Sequence, residues 1–192
     1  MTGLVADVLA LIVGLDHLAV DFLVAIRDPA ITKVMNSVTG LGSATAAAVI
    51  VGLFYLAGWH EEVGTSVLAL GLTGPVVLTL MGLVQRPFPP EPVCVTSGEM
   101  VAHSFPSGHA AGVTVFALLA ARSDRLPLAP TALLAGLIAI SRMYLGTHYL
   151  SDTIAGIGIG AAAFFIATRW LTDSRKAVVD YVRSRSERSV SK

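Results

Sequence analysis

The chain has 192 residues, of which 54% are hydrophobic and only 14% are charged, and its mean hydropathy is +0.74. Soluble globular domains are about half apolar and about a quarter charged, so this composition argues against an ordinary soluble domain. Lysine plus arginine and aspartate plus glutamate both number 13, and the lack of a basic excess argues against a nucleic-acid partner. The single cysteine, Cys94, excludes a disulfide within the chain.

The N-terminal third begins with an apolar segment at residues 4–26 that is interrupted by acidic residues. A spanning helix needs about 20 mostly apolar residues, so this segment is compatible with a full span or with a helix lying partly at the interface. We interpret Asp16, His17 and Asp21 as a polar patch on such an interfacial helix. Residues 30–38 repeat apolar side chains at helical spacing but are too short to span, which predicts a short interfacial helix.

Five more apolar segments follow, and the connections between them are polar. The loop at residues 85–105 is rich in proline, and we interpret His103, Glu91 and Glu99 in it as solvated. Residues 172–192 form a polar, basic tail that we expect to be helical around residues 177–182 and then disordered. The predicted spans after the first cover residues 41–59, 63–84, 106–121, 126–146 and 152–170.

The predicted fold is therefore all-α. We expect an integral membrane bundle of about six transmembrane helices, with a short interfacial helix near the N-terminus. Residues 1–171 form the membrane domain and residues 172–192 the tail. Gly156, Gly158 and Gly160 in the sixth span are typical of tight packing between membrane helices.

Polar residues cluster at four span ends, and these ends share one membrane face if each segment crosses once. Ionisable residues at such depths are costly and usually functional. The residues concerned are Arg86 after the third span, Ser107, Gly108 and His109 at the start of the fourth, Arg142 near the end of the fifth, and His148 and Asp152 at the start of the sixth.

This set of side chains fits phosphoryl transfer, which needs positioning and neutralisation of oxygen charge. Arg86 and Arg142 can each donate two hydrogen bonds to phosphate oxygens. The start of the fourth span offers free backbone N–H groups, and Gly108 lets that backbone approach an anion. Histidine can act as nucleophile or as general acid, and the spacing alone does not tell which histidine attacks. His148 and Asp152 are four residues apart and would share a helix face.

Three sequence blocks resemble the type-2 phosphatidic acid phosphatase family, also called lipid phosphate phosphatases, which is related to the vanadium haloperoxidases. The blocks cover residues 79 to 160, and the six-span layout extends the resemblance over most of the chain. They are Arg86-Pro87, Pro106-Ser107-Gly108-His109, and Ser141-Arg142 with His148 and Asp152.

The resemblance implies a role for each matching residue. His148 is the nucleophile that forms a phosphohistidine, Asp152 orients it, and His109 protonates the leaving alkoxide. The phosphoryl oxygens are held by Arg86, Ser107, Gly108 and Arg142. The resemblance implies no metal and no other cofactor, and the expected partners are a lipid phosphate or polyprenyl diphosphate substrate and the membrane lipids.

One position departs from the family pattern. The family usually has a lysine seven residues before the arginine of the first block, where this chain has Thr79. Because residues seven apart nearly share a helix face, we expect position 79 to face the same pocket as Arg86 and its missing cation to weaken phosphate binding.

Three classes of function are compatible with the sequence. The leading hypothesis is a lipid phosphate or lipid diphosphate phosphatase, with phosphatidic acid, phosphatidylglycerophosphate and polyprenyl diphosphates as candidate substrates. A phosphotransferase with the same site and a non-catalytic membrane protein that retains the fold are the alternatives. The membrane-spanning chain and the missing lysine argue against a haloperoxidase.

The distribution of basic residues predicts a multi-pass protein of the cell membrane with a cytoplasmic tail. Nine of the thirteen basic residues fall in the turn at residues 122–125, near the end of the sixth span or in the tail. Basic residues near span ends favour the cytoplasm, so the site is expected to be extracytoplasmic.

Overall fold

The computed structural model of the chain describes residues 2–90, 93–94 and 103–190, and within them it shows helices and no strand. Glu91 and Glu99, which we interpret as solvated, lie outside this part of the chain. A short 3-10 helix at Gly40–Gly42 joins the second and third α-helices. The α-helices of the described residues are α1 (Thr2–Ala25), α2 (Pro29–Thr39), α3 (Ala44–Leu56), α4 (His60–Val84), α5 (Gly108–Ala120), α6 (Leu128–Tyr144) and α7 (Leu150–Val190).

The all-α membrane bundle is confirmed, and each of the six predicted apolar segments is helical. Helices α1, α4 and the Leu150–Ala177 part of α7 are long and apolar enough to cross a membrane. Pro29–Gly42 and Ala44–Leu56 form a pair bent by 58°, which is either a broken span or a re-entrant segment. The apolar helices α5 and α6 have only 13 and 17 residues. Helix α5 packs against α4, α6 and α7 and is therefore surrounded by other helices of the bundle.

The predicted interfacial helix is α2, and its start is fixed by a cap. The Asp28 side chain accepts hydrogen bonds from the N–H groups of Ala30 and Ile31, and Pro29 occupies the first turn, where its missing N–H costs nothing. The α1–α2 junction is also tied to the end of α6, because Arg27 Nε donates to the carbonyl oxygen of Tyr144 at 3.1 Å. Helix α2 therefore leaves the end of α1 in a fixed direction.

The expectation of a disordered tail was wrong, since the backbone of α7 stays helical to Val190. Arginine, lysine, glutamate and alanine are good helix formers, and extending an existing helix adds one hydrogen bond for each residue fixed. Early in this extension Arg175 forms an ion pair with Glu61 at 2.6 Å. Nearby, Arg125 pairs with Glu62 at 2.8 Å. The basic turn and the beginning of the tail thus lie at the same end of the bundle, beside the start of α4.

Two of the three glycines in α7 permit close contact with α5. A Cβ atom added at Gly156 would overlap the carbonyl oxygen of Ser107, and one added at Gly160 would overlap that of Ala111. A Cβ at Gly158 would meet nothing within 4 Å. The predicted tight packing is therefore confirmed for Gly156 and Gly160 and is absent at Gly158.

This difference gives a matched pair of substitutions on one helix. Gly156→Ala should lower the free energy of unfolding by about 1–3 kcal/mol, the usual cost of forcing an extra carbon into a packed interface. Gly158→Ala should raise it by up to roughly 1 kcal/mol, because alanine is the better helix former. Thermal unfolding in detergent compares the two, and equal midpoints would contradict the close approach of α5 and α7.

Candidate active site

The four polar span ends meet at one end of the bundle, as the sequence predicts. After α4, Arg86 Nη1 donates to Asp152 Oδ1 at 2.7 Å, which joins α4 to the start of α7. The Ser107 N–H before α5 donates to the Asp152 carbonyl oxygen at 3.0 Å. Between α6 and α7, His148 Nδ1 lies 2.5 Å from the Ser104 carbonyl oxygen. Residues far apart in the sequence are thereby held in one small polar cluster.

A cavity of about 880 Å³ opens between α3, α4 and α5 and reaches this cluster. Its polar end is lined by His103, Gly108, His109, Arg142 and His148. Its walls along α3 and α4 are mostly apolar or small. The wall residues on these two helices are Ala44, Thr45, Ala47, Ala48 and Val51 on α3 and Val67, Leu70, Gly71, Thr73, Gly74, Val77, Leu78 and Met81 on α4.

The chain around His148 is fixed by the way α6 ends. The N–H groups of Gly146 and Thr147 donate back to the carbonyl oxygens of Met143 and Arg142, both at 3.0 Å, which is a Schellman motif. Gly146 has a φ of +73°, and a side chain there would overlap the carbonyl oxygen of Val93. This tight end turns the chain directly after Arg142, so His148 reaches the same cavity.

The hydrogen bond at Nδ1 also fixes which ring nitrogen of His148 carries the proton. A carbonyl oxygen only accepts, so Nδ1 is the protonated nitrogen and the Nε2 lone pair is available. Asp152 Oδ2 lies 3.9 Å from Nδ1, outside hydrogen-bond distance, and accepts instead from the Tyr149 N–H at 2.8 Å. The group that directly orients the ring in this structure is therefore the Ser104 carbonyl. Among the described residues, Asp152 is the carboxylate within 4 Å of Nδ1.

Burial and the nearby Arg142 guanidinium lower the pKa of His148 from 6.5 to about 3. The imidazole is thus neutral over the physiological range, as a nucleophile requires. The pKa of His148 is lower in the folded state than in the unfolded state. The neutral ring therefore contributes fully to the free energy of unfolding above pH 6.5, and this contribution is lost as the pH falls towards 3.

We therefore expect the unfolding midpoint to fall between pH 7 and pH 4, and to fall less in His148→Gln. Glutamine keeps a donor for the Ser104 carbonyl but cannot take up the proton. Carboxylates contribute to acid sensitivity in both proteins, so the difference between them isolates the histidine. Parallel pH dependence in the two proteins would contradict a neutral buried His148.

The two arginines of the predicted set are held differently. Arg142 is 3% exposed, lines the cavity, and donates from Nη1 to Thr39 Oγ1 at 3.1 Å. Arg86 lies outside the cavity lining, its guanidinium between Asp16 and Asp152 and over the Tyr149 ring at 3.9 Å. Arg142 is therefore the arginine placed to meet a ligand in this structure, and Arg86 reaches the site through Asp152.

Two expectations about single positions change with the structure. Thr79 is exposed and lies outside the cavity lining. Helix α4 ends at Val84, and Gln85 takes a left-handed conformation. The helix does not extend to Arg86, so the expectation that positions 79 and 86 share a helix face was wrong. Ser107 is fully buried and caps α5, its Oγ lying 3.4 Å from the Ala110 N–H.

Sequence reasoning missed three residues of the site. His103, interpreted as solvated, lines the cavity. Asp16, interpreted as part of an interfacial patch, is 1% exposed and pairs with Arg86, whereas His17 and Asp21 beside it are exposed. Ser104 acts through its backbone, which leaves no sequence signal. Asp16 could have been found from the sequence, because an acidic residue in the middle of an apolar helix is energetically costly unless it has a partner.

Comparison with known proteins identifies the family. The model of the PAP2 superfamily matches residues 63–176, more than half of the chain. The chain belongs to the PAP2 superfamily. The matched segment holds the predicted site residues from Arg86 to Asp152 and leaves α1, α2 and α3 outside.

Relatives within the superfamily carry phosphatase names. The chain is 38% identical over 87 residues to decaprenylphosphoryl-5-phosphoribose phosphatase of Mycobacterium tuberculosis, a match that covers 45% of this chain and 48% of that protein. It therefore spans about half the length of these mycobacterial relatives. It is 27% identical over 160 residues to phosphatidylglycerophosphatase B of Bacillus subtilis, which covers 74% of this chain and 76% of the relative.

A solved structure supports the fold. The crystal structure of a transmembrane PAP2-type phosphatidylglycerolphosphate phosphatase from Bacillus subtilis superposes with a TM-score of 0.69 at 22% identity. The superposition covers 82% of this chain and 85% of that one. At this identity the likeness shows the membrane helical fold alone.

Proposed function

We propose that the protein is a metal-independent phosphatase of lipid phosphates or lipid diphosphates, acting through a phosphohistidine at the outer membrane face. The observation that carries the proposal is the cavity in which His148, His109 and Arg142 lie at one end of a long apolar groove. The polar end suits a phosphate and the groove suits the chain of a lipid. Membership of the PAP2 superfamily and the phosphatase names of its relatives support the reaction class.

In the proposed reaction His148 Nε2 attacks the phosphorus atom and the bond to the lipid oxygen breaks. The negative charge of the bound phosphate favours the protonated form of His109. His109 gives its proton to the departing oxygen, so the lipid leaves as an alcohol or, from a diphosphate, as a phosphate. Water then attacks the phosphohistidine, His109 takes up its proton, and inorganic phosphate leaves. Asp152 favours the positive charge that develops on His148.

Charge on the phosphoryl oxygens is met by the remaining residues of the site. Arg142 donates from the cavity wall, and the start of α5 at Gly108 presents backbone N–H groups where helices bind anions. Ser107 and Arg86 complete the proposed phosphate-binding set. Ser107 fixes the start of α5, and Arg86 is 24% exposed in its side chain beside Asp152.

The groove supports a long-chain substrate. Its α4 wall runs from Val67 to Met81, which corresponds to about 20 Å at 1.5 Å per residue. Small residues on both walls leave this space open. The groove extends along α3 and α4 to the histidines at its polar end. A soluble phosphate ester has no use for such a length of apolar wall, so a lipid is the substrate class that we propose.

Phosphate release by the purified protein from a panel of lipid phosphates and diphosphates tests the activity. The panel includes phosphatidic acid, phosphatidylglycerophosphate and polyprenyl phosphates and diphosphates, each with and without EDTA. We expect release from at least one lipid and no effect of EDTA. Loss of activity in EDTA with recovery on adding a divalent cation would contradict the metal-independent reaction.

The proposed orientation places the site outside the cytoplasm and the tail inside. It is supported by the basic turn at Arg125 and the start of the tail at Arg175, which lie at the end of the bundle opposite the site. Basic residues concentrate on the cytoplasmic side of membrane proteins.

Cys94 tests this orientation because it lies at the site end and is half-buried. In intact cells an impermeant maleimide should label the protein, and the label should be absent in Cys94→Ser. In the Cys94→Ser protein, a cysteine placed at the exposed position Arg169, near the far end of the predicted sixth span, should label only after lysis. The reversed pattern would contradict the proposed sidedness.

A further inference from the structure

A buried carboxylate on α1 contacts the active-site cluster from outside the segment that the family model matches. Asp16 is 1% exposed, whereas Leu15 next to it is 46% exposed. Asp7 and Asp21, the other acidic residues of α1, are both exposed. Burying an acid within an apolar helix is energetically costly unless the acid is paired. The hydrogen-bond partners of Asp16 therefore indicate its structural role.

Those partners are Arg86 and Ser151, both next to Asp152 in space or in sequence. Asp16 Oδ2 accepts from Arg86 Nη2 at 2.8 Å and from Ser151 Oγ at 2.7 Å, and Oδ1 accepts from the Ser151 N–H at 2.8 Å. The same Ser151 Oγ accepts from Arg86 Nη1 at 2.8 Å. Three groups therefore fix one carboxylate, and one hydroxyl bridges it to the guanidinium.

The contacts continue to the proposed nucleophile. Arg86 Nη1 also donates to Asp152 Oδ1 at 2.7 Å, and Asp152 Oδ2 lies 3.9 Å from His148 Nδ1. The Ser151 N–H belongs to the first turn of α7, where backbone donors have no partner within the helix. Asp16 satisfies this donor and adds a negative charge at the positive end of α7. It thus holds both the arginine and the helix start that carry Asp152.

We propose that Asp16 is a positioning residue of the reaction: through Arg86 and Ser151 it holds Asp152 beside His148. The inference rests on the proposed function for its effect on turnover. Neither Asp16 nor Arg86 lines the cavity, so the loss of Asp16 should affect the chemical step more than lipid binding. Helix α1 is then part of the catalytic unit, in addition to being a membrane span.

The activity test compares Asp16→Asn with Asp21→Asn. Asparagine keeps the size of aspartate but loses the charge that holds Arg86, whereas Asp21 is an exposed acid on the same helix. We expect Asp16→Asn to lower kcat by about 10- to 100-fold, the effect of a misplaced catalytic group, with KM changed less than about threefold. Asp21→Asn should match wild type, and Asp16→Glu should recover part of the loss because it restores the charge. A rise in KM at unchanged kcat would overturn the positioning role.

A second measurement needs no turnover and separates this inference from the proposed function. In protein labelled at histidine, the ring signals of His148 are assigned by their loss in His148→Gln. They should shift in Asp16→Asn and stay in place in Asp21→Asn. If Asp16→Asn does not fold, Ser151→Ala removes the bridging hydroxyl and should shift the same signals. Unmoved His148 signals in the folded variant overturn the inference. Shifted signals in a protein that hydrolyses no lipid phosphate support the inference and contradict the proposed function.

Discussion

His148→Gln should abolish phosphate release while the protein still inserts into the membrane and folds. The glutamine amide can donate to the Ser104 carbonyl as the ring does now, so the local structure has a replacement partner. It has no nitrogen that can form a covalent bond to phosphorus, and the proposed reaction cannot begin. Residual turnover should fall below detection in a colorimetric phosphate assay.

His109→Gln should be less severe, because it removes the proposed acid and leaves the nucleophile. A general acid typically contributes about 10²- to 10⁴-fold, so we expect kcat to fall by that factor. The loss should shrink when the leaving group needs no proton, as with p-nitrophenyl phosphate. His17→Gln, at an exposed position on α1, is the matched control and should keep wild-type activity. Full activity of His148→Gln, or equal losses of His109→Gln on both substrates, would contradict the assigned roles.

Gly71→Leu should lower kcat/KM for long-chain lipid phosphates by about tenfold or more. Gly71 lines the groove, and a Cβ atom there meets nothing within 4 Å, so the new side chain projects into open space. If the leucine displaces two methylenes of the lipid, at about 0.8 kcal/mol each, the loss of binding corresponds to roughly tenfold. A short-chain phosphate that occupies only the polar end should be hydrolysed at the wild-type rate.

Gly82→Leu is the control for this substitution. Gly82 lies on the same helix, also has open space around its Cβ position, and is not part of the groove lining. Both variants exchange glycine for a better helix former, so any general effect on α4 is common to them. Equal kinetics of the two variants on a long-chain substrate would show that the lipid chain does not occupy the groove between α3 and α4.

Hydropathy and spacing predicted the parts of this structure that depend on the local sequence. Long apolar segments became helices, and the span ends near Arg86 and Asp152 lie together as predicted. Gly156 and Gly160 lie where α7 closely contacts α5. Gly158 is also a glycine of this helix, but a Cβ atom there would meet nothing within 4 Å. Composition could not tell these positions apart because the face of a helix that meets its neighbour depends on the whole bundle.

The details of the site depend on loops and on long-range contacts, which the sequence does not show. The left-handed Gln85 ends α4 and removes the register between Thr79 and Arg86. The carbonyl that orients His148 belongs to the backbone of Ser104, where any residue type would supply it. Asp16 becomes part of the site only because α1 packs beside the start of α7, 135 residues along the chain.

Whether phosphate passes through His148 can be tested by trapping the covalent intermediate. Purified protein is mixed with a ³²P-labelled lipid phosphate that it hydrolyses. The reaction is quenched in alkaline denaturant within the first turnover, and the protein is digested for peptide mapping. We expect an acid-labile, alkali-stable label on the peptide that contains His148, and no label in His148→Gln. In His109→Gln the label should form slowly from a lipid phosphate and persist longer, because water attack lacks its base. Label on another residue, or full phosphate release by His148→Gln, would contradict a phosphohistidine at position 148.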